Sequence, residues 1–421
     1  MKTIKIFFLE LRRLLKSRLT WLILLLTILS PSAGLILYRP AYADTMLSAY
    51  LANPAIAGGA AAGILFGLLT IYELDRVGRS RTDMLMDAVI SPLSMALVRL
   101  LALLTAAVLG LSLTMLAWLP VSRALIGSVF SGTDYVLSYV LFLGLALPLS
   151  ILAAASAFQF TRRADLSVVL FAAFAGLSLT VWADDWQLGW LNPCVWALSD
   201  DFTNFRIFRS VAYMRLTWLA ALAGIWTLSW LGIRRYGKGL PGSFLRNAGR
   251  ICRPLIALLL LVCSVTSYAA QPMVDNSNPD QTAMTFYEVP YAEDVVCTGR
   301  TAQVFPDTSA GTVTGRASYS FQNSSGREQK ILFAVTPGYH FPSVQINGQE
   351  APFSVSSYQE FNEAMLEVTI PAQERVELTL EYNGFPRENR NTSILQGSAE
   401  ISGQYLCLEN AELAPRLMNV L

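Results

Sequence analysis

Seven apolar runs, near residues 19–38, 55–72, 95–119, 135–159, 165–183, 211–233 and 254–271, constrain this chain more than any other feature. Each approaches the roughly 20 helical residues needed to cross a hydrocarbon layer. Such a layer offers the backbone no hydrogen-bond partner, so only helices or closed barrels cross it. A membrane helical bundle is therefore expected over the first 271 residues. Composition agrees, because only 14% of the chain is charged, against about 25% in soluble domains. The runs then stop, and a separate carboxy-terminal part follows.

Orientation follows from Lys and Arg in the short connections. The amino-terminal tail holds Lys2, Lys5, Arg12, Arg13, Lys16 and Arg18. On the same side fall Arg76, Arg79 and Arg81, then Arg162 and Arg163, then Arg234, Arg235, Lys238, Arg246, Arg250 and Arg253. The opposite loops hold only Arg39, Arg123, Arg206 and Arg209. The expected topology has a cytoplasmic amino terminus in the cell membrane and residues 272–421 outside.

The connection "YELDRVGRSRTDMLMDAVISPLSMALVRL" (72–100) is longer and more charged than a turn requires. Leu74, Val77, Met84, Leu85, Ala88 and Val89 recur at helical steps, while Asp75, Arg76, Arg79, Arg81 and Asp83 supply a polar face. Pro92 then breaks the helix before the third span. Residues 1–18, "MKTIKIFFLELRRLLKSR", alternate basic and apolar and read as an interfacial amphipathic helix.

Over residues 1–240 this pattern resembles the permease subunits of type-2 ABC exporters. In them an acidic residue ends the second span, a short coupling helix follows, and a Pro-Leu/Val-Ser step enters the third. Glu73, Arg76, Arg79, Arg81, Asp83, Leu85 and Pro92 occupy that pattern here, with Ser91 and Ser94 flanking the proline. The resemblance implies docking of these residues on a cytoplasmic ABC ATPase subunit. It also implies a homodimer, or a heterodimer with a second permease. "WLNPCVWALSDDF" (190–202) is similar to the family's outer Asn-Pro loop, which carries short re-entrant helices, and points to Asn192 and Pro193.

Other features are read more plainly. "GIRRYGKG" (232–239) fits a phosphate-loop spacing, but it ends a membrane helix and has Gly239 where Ser or Thr must bind magnesium. Any ATP hydrolysis is therefore assigned to a separate subunit. Gly59, Gly63 and Gly67 repeat every four residues, which lets helices approach closely within one bundle or between two subunits. Arg99 and Arg215 are expected to snorkel from span ends. Asp184, Asp185, Asp200 and Asp201 cluster in the outer loop, as a solvated patch or an attractor of cations.

The tail reads as strands. "AMLEVTIP" and "VELTLEYNG" alternate apolar and polar, "VQINGQEAPF" contains the hairpin signal Asn347-Gly348, and runs 315–323 and 329–336 complete five or more short strands. Residues 311–421 are expected to form a β-sandwich, and 272–310 a linker. Residues 311–416 resemble the amino-terminal β-domain of aminopeptidase-N-like zinc peptidases. Their H-E-x-x-H needs two histidines on one helix face, and this chain has one, His340. A Cys297–Cys407 bridge is open on spacing alone.

The expected architecture is a membrane α-helical bundle, six spans in 19–240 plus a seventh within 241–271, carrying an extracytoplasmic all-β sandwich. The expected function is the permease subunit of an ABC-type exporter, with no enzyme activity, cofactor or nucleic-acid partner of its own, contacting membrane lipids. The other reading is a membrane-anchored binding or scaffold protein, whose sandwich does the recognition.

Overall fold

The computed structural model describes the chain except residues 1, 42–44, 80–90, 184, 186, 196, 201–203, 233–239, 250–251, 270–290, 293, 309, 311, 337, 359–362, 385–399, 402–405, 409–412 and 421. The chain divides into two units, Met1–Ala270 and Gln271–Leu421.

The first unit is helical throughout its long elements. Helix α1 (Lys2–Leu15) exposes Ile4, Lys5, Phe8, Leu9 and Arg12 and turns Leu14 inward. Next come α2 (Arg18–Ile36), which tightens to a 3-10 turn at Pro31, and α3 (Asn53–Arg79), entered through a π-helical turn at Ser48–Ala52. Helix α4 (Pro92–Ile126) is capped by Ser91, whose Oγ accepts from the Ser94 N–H at 3.2 Å. Proline suits this first turn because its missing N–H has no helical partner there. Helix α5 (Gly132–Thr161) contains a π-helical turn at Tyr139–Gly144 and ends at Arg162, which is left-handed with φ 55°. The remaining helices are α6 (Ala164–Leu179), α7 (Phe205–Ser229), α8 (Leu240–Ala248) and α9 (Cys252–Ala269).

Among the described residues, five segments are long and apolar enough to cross a membrane: Arg18–Ile36, Ser48–Arg76, Leu93–Val129, Gly132–Thr161 and Ile207–Ser229. The other two expected runs form shorter apolar helices, Ala164–Leu179 and Pro254–Ala269. The 16 residues of α6 rise only about 24 Å at 1.5 Å each.

Helix α3 is central, packing on α2, α5 and α6. Its glycines make this possible. A Cβ on Gly59 would sit 2.5 Å from the Phe142 carbonyl oxygen, and one on Gly63 2.7 Å from Ser150 Oγ. One on Gly67 would collide with the Phe171 ring. All three glycines thus serve packing inside this bundle. Helix α9 lies antiparallel on α7: Thr217 faces Ser264 and Ser267, and Gly224 faces Leu261 and Ala257.

In the second unit, β1 (Val295–Asp307), β2 (Thr312–Asn323), β8 (Arg375–Gly384), β4 (Tyr339–Ile346) and β5 (Gln349–Glu350) form one antiparallel sheet in that order. A second sheet runs β11 (Arg416–Leu417), β3 (Gln329–Val335), β7 (Glu363–Ile370), β6 (Phe353–Tyr358). Alternate residues of both sheets share one core. Tyr319 and Phe321 of the first meet Phe333 of the second, with the Tyr319 and Phe333 rings 4.9 Å apart. Asn347 and Gly348, at φ 50° and 80°, make the hairpin that pairs Ile346 with Gln349. A short pair, β9 (Glu400–Ile401) with β10 (Leu406–Cys407), lies apart.

One expectation for this unit needs correction. Strand β1 lies in the segment read as linker. It is an edge strand exposed over most of its length, so it carries no clean alternation to read. His340 is an exposed residue of β4. The Cys297–Cys407 bridge left open on spacing is not formed: Cys297 is a free thiol whose Sγ lies 3.5 Å from the Gly299 carbonyl oxygen.

Candidate functional site

The two ends of α3 carry the polar constructions of the helical unit. Residues 48 to 73 rise about 37 Å, so the two are well separated.

At the Glu73 end, α1, α3 and α4 converge on a small cavity lined by Glu10, Arg13, Glu73 and Arg99 with Leu14, Leu74, Ala102 and Leu103. Arg13 donates from Nε to Glu10 at 2.7 Å, and its Nη1 lies 2.7 Å from Glu73 Oε2. Arg76 Nη1 approaches the other Glu73 oxygen at 3.7 Å, and Arg99 Nε lies 4.0 Å from Glu10. The Glu73 side chain is 4% exposed. Neither of its oxygens has a hydrogen bond in good alignment, so the attraction holding it is ionic. Burial pulls the Arg13 pKa down, but Glu10 and Glu73 together outweigh it and hold the pKa above its ordinary value. A buried carboxylate needs such company, since desolvating a lone one costs several kcal/mol.

This geometry sorts the residues expected to couple to a partner. Glu73 is turned inward, tying the end of α3 to α1. Arg76 is exposed. Arg79 closes α3 and Pro92 opens α4. Arg81, Asp83 and Leu85 lie outside the described residues, as does most of "GIRRYGKG". Arg99 does not snorkel: it faces Glu10 with 15% of its side chain exposed.

At the Ser48 end, the chain between α6 and α7 folds back among the helices. Over its described residues it forms turns and bends, in place of the expected re-entrant helices. Trp190, Leu191, Asn192, Pro193 and Val195 are all buried. Buried irregular backbone must find partners inside the protein, and α7 supplies most of them. Arg215, fully buried, donates to the carbonyls of Leu141 (3.1 Å) and Phe142 (2.9 Å) in the π turn of α5. It donates also to those of Trp190 and, at 3.4 Å, Leu191 in the loop. Trp218, one turn on, donates to the Gln187 carbonyl at 2.8 Å. Ser178 Oγ of α6 accepts from the Leu191 N–H at 3.0 Å, and the Trp190 ring stacks on Phe174 at 4.7 Å.

The acidic residues here are structural. Asp200 accepts from the N–H groups of Met46 (2.8 Å) and Leu47 (2.9 Å) where the helix into α3 begins. Asp185 Oδ1 accepts from the N–H groups of Gln187 and Leu188. Asp184 and Asp201 lie outside the described residues. Sequence reasoning missed Arg215 because it started the sixth span at residue 211. The helix begins at Phe205, which places Arg215 about 15 Å along it.

No protein-family model matches the chain, and no curated protein matches it.

Proposed function

We propose that this chain is the permease subunit of an ABC-type exporter, oriented with α1 in the cytoplasm and the β unit outside. A separate cytoplasmic ATPase powers it, and the functional unit pairs it with a second permease. The observation that carries this reading is the ionic knot of Glu10, Arg13, Glu73 and Arg99. Residues 80–90, the later part of the expected coupling segment 74–90, are bounded by the last residue of α3 and the cap of α4. A push on them reaches both helices directly, and through Glu73 and Glu10 it reaches α1 as well. A loop tied to nothing would lose that movement as its own flexing. The charged face of the segment then sets the register of the partner. Lysine and arginine asymmetry supports the orientation.

The test is a double charge reversal, Arg79→Glu with Asp83→Arg. It should abolish co-purification with the cognate ATPase, while the detergent-purified permease keeps its melting temperature. Retained ATPase binding in a folded double mutant removes the coupling role and favours the anchored-scaffold reading.

A further inference from the structure

We propose that Arg215 is the positioning residue of an outer gate: it pins residues 187–195 as a plug across the bundle. The proposal rests on the permease reading above, and deepens it by locating what keeps the far end of the path shut.

Arginine presents five N–H donors in a planar fork. Here that fork bridges two irregular pieces of backbone on different elements. Two acceptors, Leu141 and Phe142, belong to the π-helical turn of α5, and two, Trp190 and Leu191, to the non-helical loop. A π turn disturbs the regular carbonyl ladder, so each side of the bridge offers acceptors that straight helices would not. Among the described residues its partners are carbonyl oxygens, whereas carboxylates face Arg13 and Arg99 at the other end of α3. If the plug withdraws, this fully buried guanidinium loses two of these four acceptors, and if α7 withdraws it loses all four. The closed arrangement is therefore strongly preferred until another movement compensates. Around the pin, the plug has shape as well as bonds. Leu191 packs into the space that Gly63 leaves on α3, and Tyr268 of α9 donates to the Gln187 side chain at 2.8 Å.

The plug contains its own reporter, Cys194, which is half-buried. The full chain with Cys252, Cys263, Cys297 and Cys407 changed to Ser keeps that single thiol. Its labelling rate with a membrane-impermeant maleimide in proteoliposomes reads opening of the plug and needs no ATPase. Failure here therefore leaves the docking test of the permease reading intact, and the converse also holds. A second chain, with Cys194→Ser and Ala154→Cys at a fully buried position of α5, reads general loosening.

Arg215→Met should raise Cys194 labelling at least about tenfold, the scale of lost charge-assisted hydrogen bonds. Arg215→Lys should raise it less, since a compact ammonium keeps the charge but cannot span both segments. Labelling at position 154 should not change. Unchanged Cys194 labelling in either folded variant would overturn the proposal, and so would an equal rise at both reporters. If neither Arg215 variant accumulates, Trp218→Phe decides. It removes the donor to Gln187 together with part of the ring that packs on Phe174, so it should raise Cys194 labelling about threefold, and no rise would overturn the pin.

Discussion

The helical unit leaves Val108, Leu116 and Val169 between 62% and 70% exposed, and it buries Arg215, Glu73, Asn53 and Thr70 almost completely. The β unit does the opposite: Tyr319, Phe321, Phe333 and Leu378 are buried, while Arg316 pairs with Glu381 and Lys330 with Glu367 on its surface. In water, apolar burial drives folding. Among lipid tails that drive is missing, and helices associate through close packing and polar contacts. The helical unit therefore places hydrophobic residues on its outside as well as its inside, while the β unit gathers large ones in a core. Charged pairs differ in the same way. Those of the β unit are exposed and individually weak. In the helical unit Glu73, Glu10 and Arg99 are drawn into a junction of helices, although Arg163 and Asp165 pair on its surface.

Substitutions in the two units should separate these regimes. The largest effect belongs to the water-driven core. Phe333→Ala removes a fully buried ring between the sheets and should destabilise residues 271–421, expressed alone, by about 4 kcal/mol. Urea unfolding checks it, and a loss below about 1 kcal/mol would mean that the shared core is not what holds the sheets together.

Next comes the ionic knot. Glu73→Ala leaves Arg13 with Glu10 alone and should cost about 2 to 3 kcal/mol, read as a lower melting temperature of the full chain in detergent. Glu73→Gln, with the same shape and no charge, should fall between it and the wild type. Equal behaviour of the two variants would reassign Glu73 from charge pairing to packing.

Third is the packing that replaces hydrophobic drive in lipid. Gly59→Ala places a methyl 2.5 Å from the Phe142 carbonyl oxygen, which is backbone and cannot swing away. A loss of about 2 kcal/mol is expected. A neutral result would show that α3 and α5 have room to separate.

How legible each unit was in the sequence reflects the same physics. Strands β2 and β8 were readable because one face meets water and the other a core, which writes alternation into "VELTLEYNG". Strand β3, buried on both faces over residues 331–335, shows a continuous apolar run instead. Strand β1 was not readable, because an edge strand exposed on both sides has no face to mark. The apolar helices were visible as runs, but hydropathy alone does not locate their ends. An error of about six residues at the start of α7 turned a fully buried Arg215 into an expected snorkeller. The role of Asp200 as a cap of backbone N–H groups depends on partners 153 and 154 residues away, which no local pattern announces. Asp185 instead accepts from N–H groups two and three residues on, as aspartates in turns do. The glycine repeat was legible as a packing device, and the structure supplies its partner helices.

The smallest effect concerns a pair of tyrosine hydroxyls that the β unit buries. Tyr382 donates to the Leu413 carbonyl at 2.6 Å, and Tyr319 to that of Pro415, so two phenols clamp the segment that leads into β11. Burial pushes the Tyr382 hydroxyl up to about 12, partly opposed by the positive charge of Arg300. A phenol that ionises near 10 when unfolded and only near 12 when folded keeps its proton longer in the native state. The unfolded state therefore binds fewer protons above pH 10, and stability must fall as the pH rises from about 10 to 12. Below pH 10 this contribution is constant. Tyr382→Phe removes the hydrogen bond and should cost about 1 kcal/mol at neutral pH, with a shallower fall above pH 10 because one ionising group is gone. The two stability curves of the isolated β unit should therefore converge as the solution becomes alkaline. Curves that stay parallel through pH 12 would show that Tyr382 is already accessible to hydroxide in the folded state, and that the clamp is held by Tyr319 and the strand pairing alone.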